Sequence, residues 1–150
     1  MSDTLRRLPG IAPYPMPVPT DWPASRADWV LERDRAALLV HDMQHYFVDA
    51  FQADPVPDLV QHIGTLLAAA RSAGVPVFYT AQHGDQLPAD RGRQADLWGP
   101  GMRHVAEHQP IVPALAPAAE DIVLVKHRYS AFQRSNLEVL LRARGRDQLI

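Results

Sequence analysis

The sequence of 150 residues contains no cysteine. Disulfide bonds, a thiolate nucleophile and thiolate metal ligands are therefore excluded within these residues. The sequence also lacks any apolar run long enough for a signal peptide or a membrane span, so we expect a cytoplasmic protein without a membrane partner. Neither sign of charge predominates, since 15 basic and 17 acidic residues leave a net charge of -2. Such a balance gives no general attraction to nucleic acid.

The patterns of two common catalytic classes are also missing. The chain has no glycine-rich phosphate loop of the Walker type, and where a haloacid dehalogenase would need a second aspartate it has Gln44. His41, His45 and His83 are present, but no His-Glu-x-x-His or comparable spacing supports a zinc site. We therefore expect neither a metal nor another cofactor.

Proline, in contrast, is abundant, and six of the fourteen prolines lie between Pro9 and Pro23. Alternating prolines favour an extended path with few backbone donors. Residues 1–35 are therefore predicted to form a surface arm and a lead-in segment, with Trp22 and Trp29 as packing anchors. A proline motif that binds a partner is the alternative.

Short apolar runs alternate with helical patterns in residues 36–150, which we interpret as one domain with a sizeable core. This order predicts an α/β fold in which right-handed βαβ units build a parallel sheet. The final residues resemble the start of a strand, so we expect the protein to continue past them. The predicted strands are Ala36–Val40, Val75–Thr80, Ile122–Lys126 and a fourth that begins at Gln148.

Two helices are predicted between these strands. Apolar residues from Leu59 to Ala70 repeat at helical spacing, with Asp58 as a cap and Gly74 as a stop. The sequence Ser135-Asn-Leu-Glu138 matches a capping box, and it predicts a second helix that stops at Gly145.

Two charged residues follow predicted strands at the same edge of the sheet, Asp42 after the first strand and Lys126 at the end of the third. Ligands of open α/β sheets bind beyond the carboxyl ends of the strands. Neighbouring strands would bring the two charges within a few ångströms, either for catalysis or as a structural ion pair. The polar residues 81–117 would form a long loop that supplies further substrate contacts.

Four motifs follow one another along the chain: His41-Asp-Met-Gln44, Thr80-Ala-Gln82, Asp96-Leu-Trp-Gly-Pro-Gly101 and Lys126-His-Arg-Tyr-Ser-Ala-Phe132. Together they resemble the isochorismatase family. Each motif is weakly specific alone, but the four together are strong, and the match runs from the proline arm to residue 150. The resemblance implies a three-layer α/β/α fold with a central, mostly parallel, Rossmann-like sheet, whose C-terminal strands this chain lacks. It is closer to the isochorismatases of siderophore pathways and the aminodeoxyisochorismate hydrolase of phenazine pathways than to nicotinamidases.

The resemblance also implies roles for six residues. Asp42 and Lys126 match the family's catalytic aspartate and lysine. The implied reaction is hydrolysis of the enolpyruvyl vinyl ether of isochorismate, or of its amino analogue, with protonated Asp42 as the general acid. Nicotinamidases carry metal-binding Asp and His residues where this chain has a set suited to an anionic, metal-free substrate. The residues that match substrate-binding positions are Gln82, Arg91, Tyr46 and Trp98.

Other functions stay open. The family's fourth-strand loop would follow Ile150, and it carries cysteine in the amidases but glycine in the isochorismatases. A cysteine amidase of the nicotinamidase type is therefore the alternative enzyme. A non-catalytic domain that docks an aryl carrier protein is a third hypothesis, and some family members carry such a carrier domain at the C-terminus. The proline arm predicts a homo-oligomer, such as a dimer, and so does the frequent oligomerisation of proteins with this fold.

Overall fold

The computed structural model describes residues 8–150. Four strands form its central sheet: β1 (Ala36–His41), β2 (Val77–Ala81), β3 (Ile122–Val125) and β4 (Gln148–Leu149). The strand order is β3-β2-β1-β4, and every pair is parallel. The predicted parallel sheet is confirmed, and the strand ends differ from the predicted ones by a residue or two.

Helices connect the strands, and two of them cover the sheet. The α-helices among the described residues are α1 (His45–Val48), α2 (Val56–Ser72), α3 (Pro88–Arg91), α4 (Gln94–Trp98) and α5 (Leu137–Ala143). The residues predicted as one long polar loop contain α3, α4 and a 3-10 turn at Pro113–Leu115. A second 3-10 turn lies at Pro19–Asp21.

Both predicted helices form, but neither cap prediction holds. Helix α2 begins two residues before Asp58, so this carboxylate lies in the first turn, where it complements the helix dipole without capping. No capping box forms at α5; instead the Ser135 hydroxyl accepts from the Leu137 N–H at 3.2 Å and donates to the Ala131 carbonyl. Gly145, at φ +62, follows the end of α5 as expected.

The core has two parts because successive strand residues point to opposite faces of a sheet. Tyr79 and Val77 pack with α2 on one face, and Phe78 packs with α5 on the other. Helices on both faces of a parallel sheet give three layers, so the predicted α/β/α architecture is confirmed. This arrangement leaves the carboxyl ends of β1, β2 and β3 together at one edge.

Residues 8–35 run over the surface, and the first seven residues of the predicted arm lie outside the described part. The packing prediction for the tryptophans is wrong, since Trp22 is 65% and Trp29 is 91% exposed. Ile11 attaches the arm instead: it pairs with Phe51, and its N–H donates to the Ala50 carbonyl at 2.7 Å. Prolines cannot donate, so a non-proline residue supplies this contact. Within residues 8–150, no helix has the length and apolar character to cross a membrane.

Candidate active site

The ends of β1 and β3 bring Asp42 and Lys126 together. In the sheet register His41 lies opposite Thr80, and Ala81 lies opposite Val125, so the residues that follow these strands converge. Lys126 Nζ donates to a carboxylate oxygen of Asp42. The lysine side chain is 3% exposed and the aspartate side chain 21%. Asp42 adopts φ +55, a left-handed conformation that aspartate tolerates, and the chain turns sharply there.

Gln44 fixes the backbone of Gln82 beside this pair. Its side-chain Oε1 accepts from the Gln82 N–H at 2.7 Å, and its Nε2 donates to the Gln82 carbonyl at 2.9 Å. The same Nε2 donates to the Gln109 carbonyl at 2.6 Å. Because Gln44 is 1% exposed, these bonds replace those that water cannot make. The strand end that carries Gln82 is thereby held in place.

Arg91 is a buried cation. It ends α3, it is 6% exposed, and its Nε donates to the Gly99 carbonyl at 2.9 Å. Burial lowers its pKa, and no acidic side chain in residues 8–150 pairs with it. Its guanidinium lies directly against Gly101, where an added Cβ would come within 2.2 Å of Nη1. A desolvated guanidinium without a carboxylate partner suits an anionic ligand.

Two aromatic residues lie where the resemblance implies. Tyr46 is buried in α1, and its ring makes edge contacts with Phe47 at 5.1 Å and with His108 at 5.0 Å between centroids. Burial raises the pKa of Tyr46, so its phenol is neutral at physiological pH. Trp98 ends α4 and is 56% exposed, which puts it at the rim.

These side chains line one cavity of about 610 Å³. All six residues with implied roles contribute to its wall, and a cavity of this size holds a small organic molecule. In residues 8–150, no three His, Asp or Glu side chains converge as a metal ion would require. The wall consists of Leu8, Pro9, Gly10, Ile11, His41, Asp42, Tyr46, Phe47, Gln82, Arg91, Gln94, Trp98, Gly101, Lys126 and Tyr129.

Sequence reasoning missed part of this wall. It assigned no functional role to His41, yet the imidazole lies within hydrogen-bond distance of Thr80 and Lys126 and faces the cavity. Its position directly before Asp42 was the available signal. The arm contributes Leu8–Ile11 to the wall. No local pattern reveals that contact, because it depends on where the arm crosses the domain.

Comparison with known proteins agrees with this geometry. The family model described as an isochorismatase domain matches residues 36–150. The chain belongs to the isochorismatase family. The resemblance of the four motifs is thereby confirmed, and so is the fold class that it implied.

Three relatives show how much of the isochorismatase-family protein this chain represents. It is 48% identical to an isochorismatase of Bacillus subtilis (strain 168) and 44% identical to enterobactin synthase component B of Escherichia coli (strain K12). Each match covers 95% of this chain, but 46% and 51% of those proteins. It is 45% identical to a phenazine biosynthesis protein of Pseudomonas fluorescens, and this match covers 95% of this chain and 69% of that protein. The chain spans about half the length of the first two relatives.

Two solved structures share the fold of this chain. A cysteine hydrolase from Pseudomonas syringae pv. phaseolicola 1448A matches with a TM-score of 0.68 and 31% identity, covering 86% of this chain and 62% of that one. The N-carbamoylsarcosine amidase from Thermoplasma acidophilum matches with a TM-score of 0.65 and 31% identity, covering 77% and 65%.

Proposed function

We propose that this chain hydrolyses the enolpyruvyl vinyl ether of isochorismate, or of 2-amino-4-deoxyisochorismate, in siderophore or phenazine-type biosynthesis. The observation that carries the proposal is Arg91, a buried cation without an acidic partner that faces the same cavity as Asp42 and Lys126. The carboxylate of an enolpyruvyl group supplies the missing negative charge. The names of the Bacillus and Pseudomonas relatives support the same substrate class.

In this proposal the substrate is held from three sides. The guanidinium of Arg91 pairs with the enolpyruvyl carboxylate, because its planar donors match the two carboxylate oxygens. Gln82 hydrogen-bonds the polar groups of the substrate from the end of β2. Tyr46 and Trp98 cover the ring and exclude water, which orients the vinyl ether toward Asp42.

Asp42 then acts as a general acid. Its carboxyl proton moves to the terminal vinyl carbon, where the electron pair of the C=C bond forms the new C–H bond and leaves an oxocarbenium ion. A water molecule adds to that cation and returns a proton to the Asp42 carboxylate. The resulting hemiketal breaks its bond to the ring oxygen, which takes the hydroxyl proton. Pyruvate and a dihydrodiol, or the dihydro-hydroxyanthranilate, leave.

Proton transfer to the vinyl carbon requires the carboxyl form of Asp42. Asp42 accepts a hydrogen bond from the Lys126 ammonium. Because Lys126 also lines the cavity, its positive charge attracts the anionic groups of a bound substrate and holds them beside the acid.

Pyruvate release tests the proposal. We expect this chain, given isochorismate or its amino analogue, to form one pyruvate per substrate, measured through lactate dehydrogenase and loss of NADH. Asp42→Ala should abolish turnover while binding survives. No pyruvate from either substrate, with folded protein, contradicts the proposal. Asp42→Asn with a near-normal rate contradicts only the general-acid role.

Amide hydrolysis is the second candidate, since solved relatives at 31% identity include a cysteine hydrolase and an amidase. Its nucleophile would have to lie outside these 150 residues, which contain no cysteine. Incubation with N-carbamoylsarcosine and with nicotinamide tests it. Ammonia release without pyruvate release favours the amidase.

The remaining partner assignments are extensions of the same proposal. We infer a homo-oligomer, such as a dimer, because Trp22 and Trp29 are exposed on the lead-in segment. An aryl carrier protein, as a partner or a fused domain, stays a prediction, as does the cytoplasmic location. Light scattering of the purified chain measures the oligomer, and a single-chain mass contradicts it.

A further inference from the structure

Asp42 and Lys126 belong to a ring of hydrogen bonds whose other two members, His41 and Thr80, have no part in the proposed mechanism. His41 and Thr80 are opposite each other on β1 and β2, and His41 Nδ1 lies 3.0 Å from Thr80 Oγ1. The Asp42 N–H donates to that same oxygen at 3.2 Å, and the Thr80 hydroxyl lies 3.4 Å from Asp42 Oδ1. Lys126 Nζ closes the ring, between His41 Nε2 at 3.2 Å and the carboxylate of Asp42.

The donors in this ring can be assigned from the chemistry of Lys126. An ammonium has three N–H donors and no lone pair, so His41 Nε2 must be the acceptor of this contact. Nε2 also lies 3.4 Å from an Asp42 oxygen, but a proton there would point toward the ammonium. The proton of a neutral imidazole is then on Nδ1, from which it is donated to Thr80.

His41 faces one opposite and one like charge. Burial lowers the pKa of His41, and the negative charge of Asp42 opposes this effect while the positive charge of Lys126 reinforces it. A neutral imidazole at physiological pH agrees with the acceptor role of Nε2.

The lone pairs of Thr80 are then fully used. A hydroxyl oxygen accepts two hydrogen bonds, and here the donors are the Asp42 N–H and His41 Nδ1–H. Its own proton is left for Asp42 Oδ1. Thr80 is 1% exposed, so water does not compete for these positions. A proton on the Asp42 carboxyl therefore finds no acceptor on Thr80.

We propose that His41 is a positioning residue for the acid: as the Nδ1–H tautomer it occupies the Thr80 oxygen, so that the carboxyl proton of Asp42 faces the cavity. The inference rests on the proposed function, in which Asp42 donates that proton to the vinyl carbon. Without the His41 donor, Thr80 has a free lone pair. The carboxyl proton then turns toward Thr80, away from the substrate.

Substitutions test the Nδ1 donor and the Nε2 acceptor of His41 independently. His41→Gln keeps an acceptor for Lys126 but removes the donor to Thr80, and Thr80→Val removes the hydroxyl. For both we expect kcat to fall about tenfold with KM nearly unchanged, since a hydrogen bond that serves the transition state is lost. His41→Asn places an amide N–H near the Nδ1 position, and Thr80→Ser keeps the hydroxyl. Both variants should therefore retain most of the kcat that His41→Gln and Thr80→Val lose. His62→Gln, on the exposed face of α2, is the matched control.

The tautomer is measured independently of turnover. In long-range ¹H–¹⁵N spectra of the full chain near neutral pH, we expect His41 as the neutral Nδ1–H form, with its Nδ1 signal shifted in Thr80→Val. An Nε2–H tautomer, an imidazolium, or an unchanged kcat in both His41→Gln and Thr80→Val overturns the inference. Failure of the unsubstituted chain to release pyruvate overturns the proposed function instead, whatever the tautomer.

Discussion

The side-chain amide of Gln44 makes hydrogen bonds to both the N–H and the carbonyl of Gln82, 38 residues away. These two bonds are of the kind that the backbone of a neighbouring strand would make with the residue at the end of β2. A third bond to the Gln109 carbonyl ties in the segment that follows α4. The amide therefore joins the end of β2 and the segment at Gln109 to the loop that carries Asp42.

Gln44→Leu tests this contact. The change keeps the volume but leaves the polar groups of Gln82 and Gln109 buried without partners, so we expect a loss of about 3 kcal/mol or more in the free energy of unfolding. Urea denaturation measures it. Gln61→Leu, on the exposed face of α2, should change stability by no more than about 0.5 kcal/mol. Equal effects of the two substitutions would show that the Gln44 amide contributes little.

The contact between Gly101 and Arg91 predicts a binding defect. Gly101 has φ +76, and an added Cβ would lie 2.5 Å from Cζ of Arg91, so Gly101→Ala must displace the guanidinium. We expect KM for isochorismate to rise about tenfold with a smaller change in kcat. Gly64→Ala, whose Cβ meets nothing within 4 Å, should leave KM unchanged and stabilise α2 by up to about 1 kcal/mol. An unchanged KM in Gly101→Ala would contradict the assigned place of Arg91.

Arg91→Ala tests the anion subsite directly. The substitution removes the guanidinium that we propose to bind the substrate carboxylate through two charge-assisted hydrogen bonds. We therefore expect KM to rise roughly tenfold to a hundredfold. Arg91→Lys should recover only part of the loss, because an ammonium cannot bind a carboxylate through two parallel donors. Initial rates of pyruvate release over a range of isochorismate concentrations give both constants. An unchanged KM in Arg91→Ala refutes the assignment.

Trp98 should report substrate binding by fluorescence. It lines the cavity, whereas Trp22 and Trp29 do not. In the inactive variant Asp42→Ala, addition of isochorismate should change tryptophan emission, because the ring of Trp98 becomes covered. The change should vanish when Trp98→Phe is added and persist with Trp22→Phe. Loss of the signal in Trp22→Phe instead would place the ligand elsewhere.

Acid should destabilise the fold through His41. Burial lowers the pKa of His41 below its ordinary value of 6.5. Between the folded pKa and 6.5 the unfolded chain binds more protons, so the contribution of this residue to stability falls as pH falls through that window. Urea denaturation from about pH 7.5 to about pH 5 measures the effect.

His41→Gln supplies the control, since glutamine does not titrate. The stability of the unsubstituted chain relative to His41→Gln should decrease steadily on acidification. If the unsubstituted chain instead became more stable relative to His41→Gln as the pH was lowered, folding would have to raise the pKa of His41, contrary to this expectation.

Local patterns were sufficient for the four strands, for helices α2 and α5, and for two site residues. The apolar runs predicted the parallel strands, and helical spacing predicted α2 and α5. Asp42 and Lys126 could be placed at one edge because each directly follows an apolar run that forms a parallel strand. Such patterns depend on neighbours along the chain, so they can be read without a structure.

Details that depend on competing local interactions were predicted less well. The capping box at Ser135 does not form because its hydroxyl oxygen accepts from the N–H of Leu137, and the carboxylate of Glu138 accepts from Arg142 instead. Trp22 and Trp29 were expected to pack because of their apolar area, yet the arm is attached through Ile11. Where several partners are available, the composition of a segment does not decide among them.

The sequence by itself determined the family, the parallel sheet and the strand ends at which Asp42 and Lys126 lie. Only the tertiary structure decided the hydrogen-bonded ring, in which His41 and Lys126 meet across 85 residues of sequence. It also decided the contribution of the arm to the cavity. The reason is physical: periodicity is a property of adjacent residues, whereas the partner of a side chain depends on strand register and on how distant loops pack.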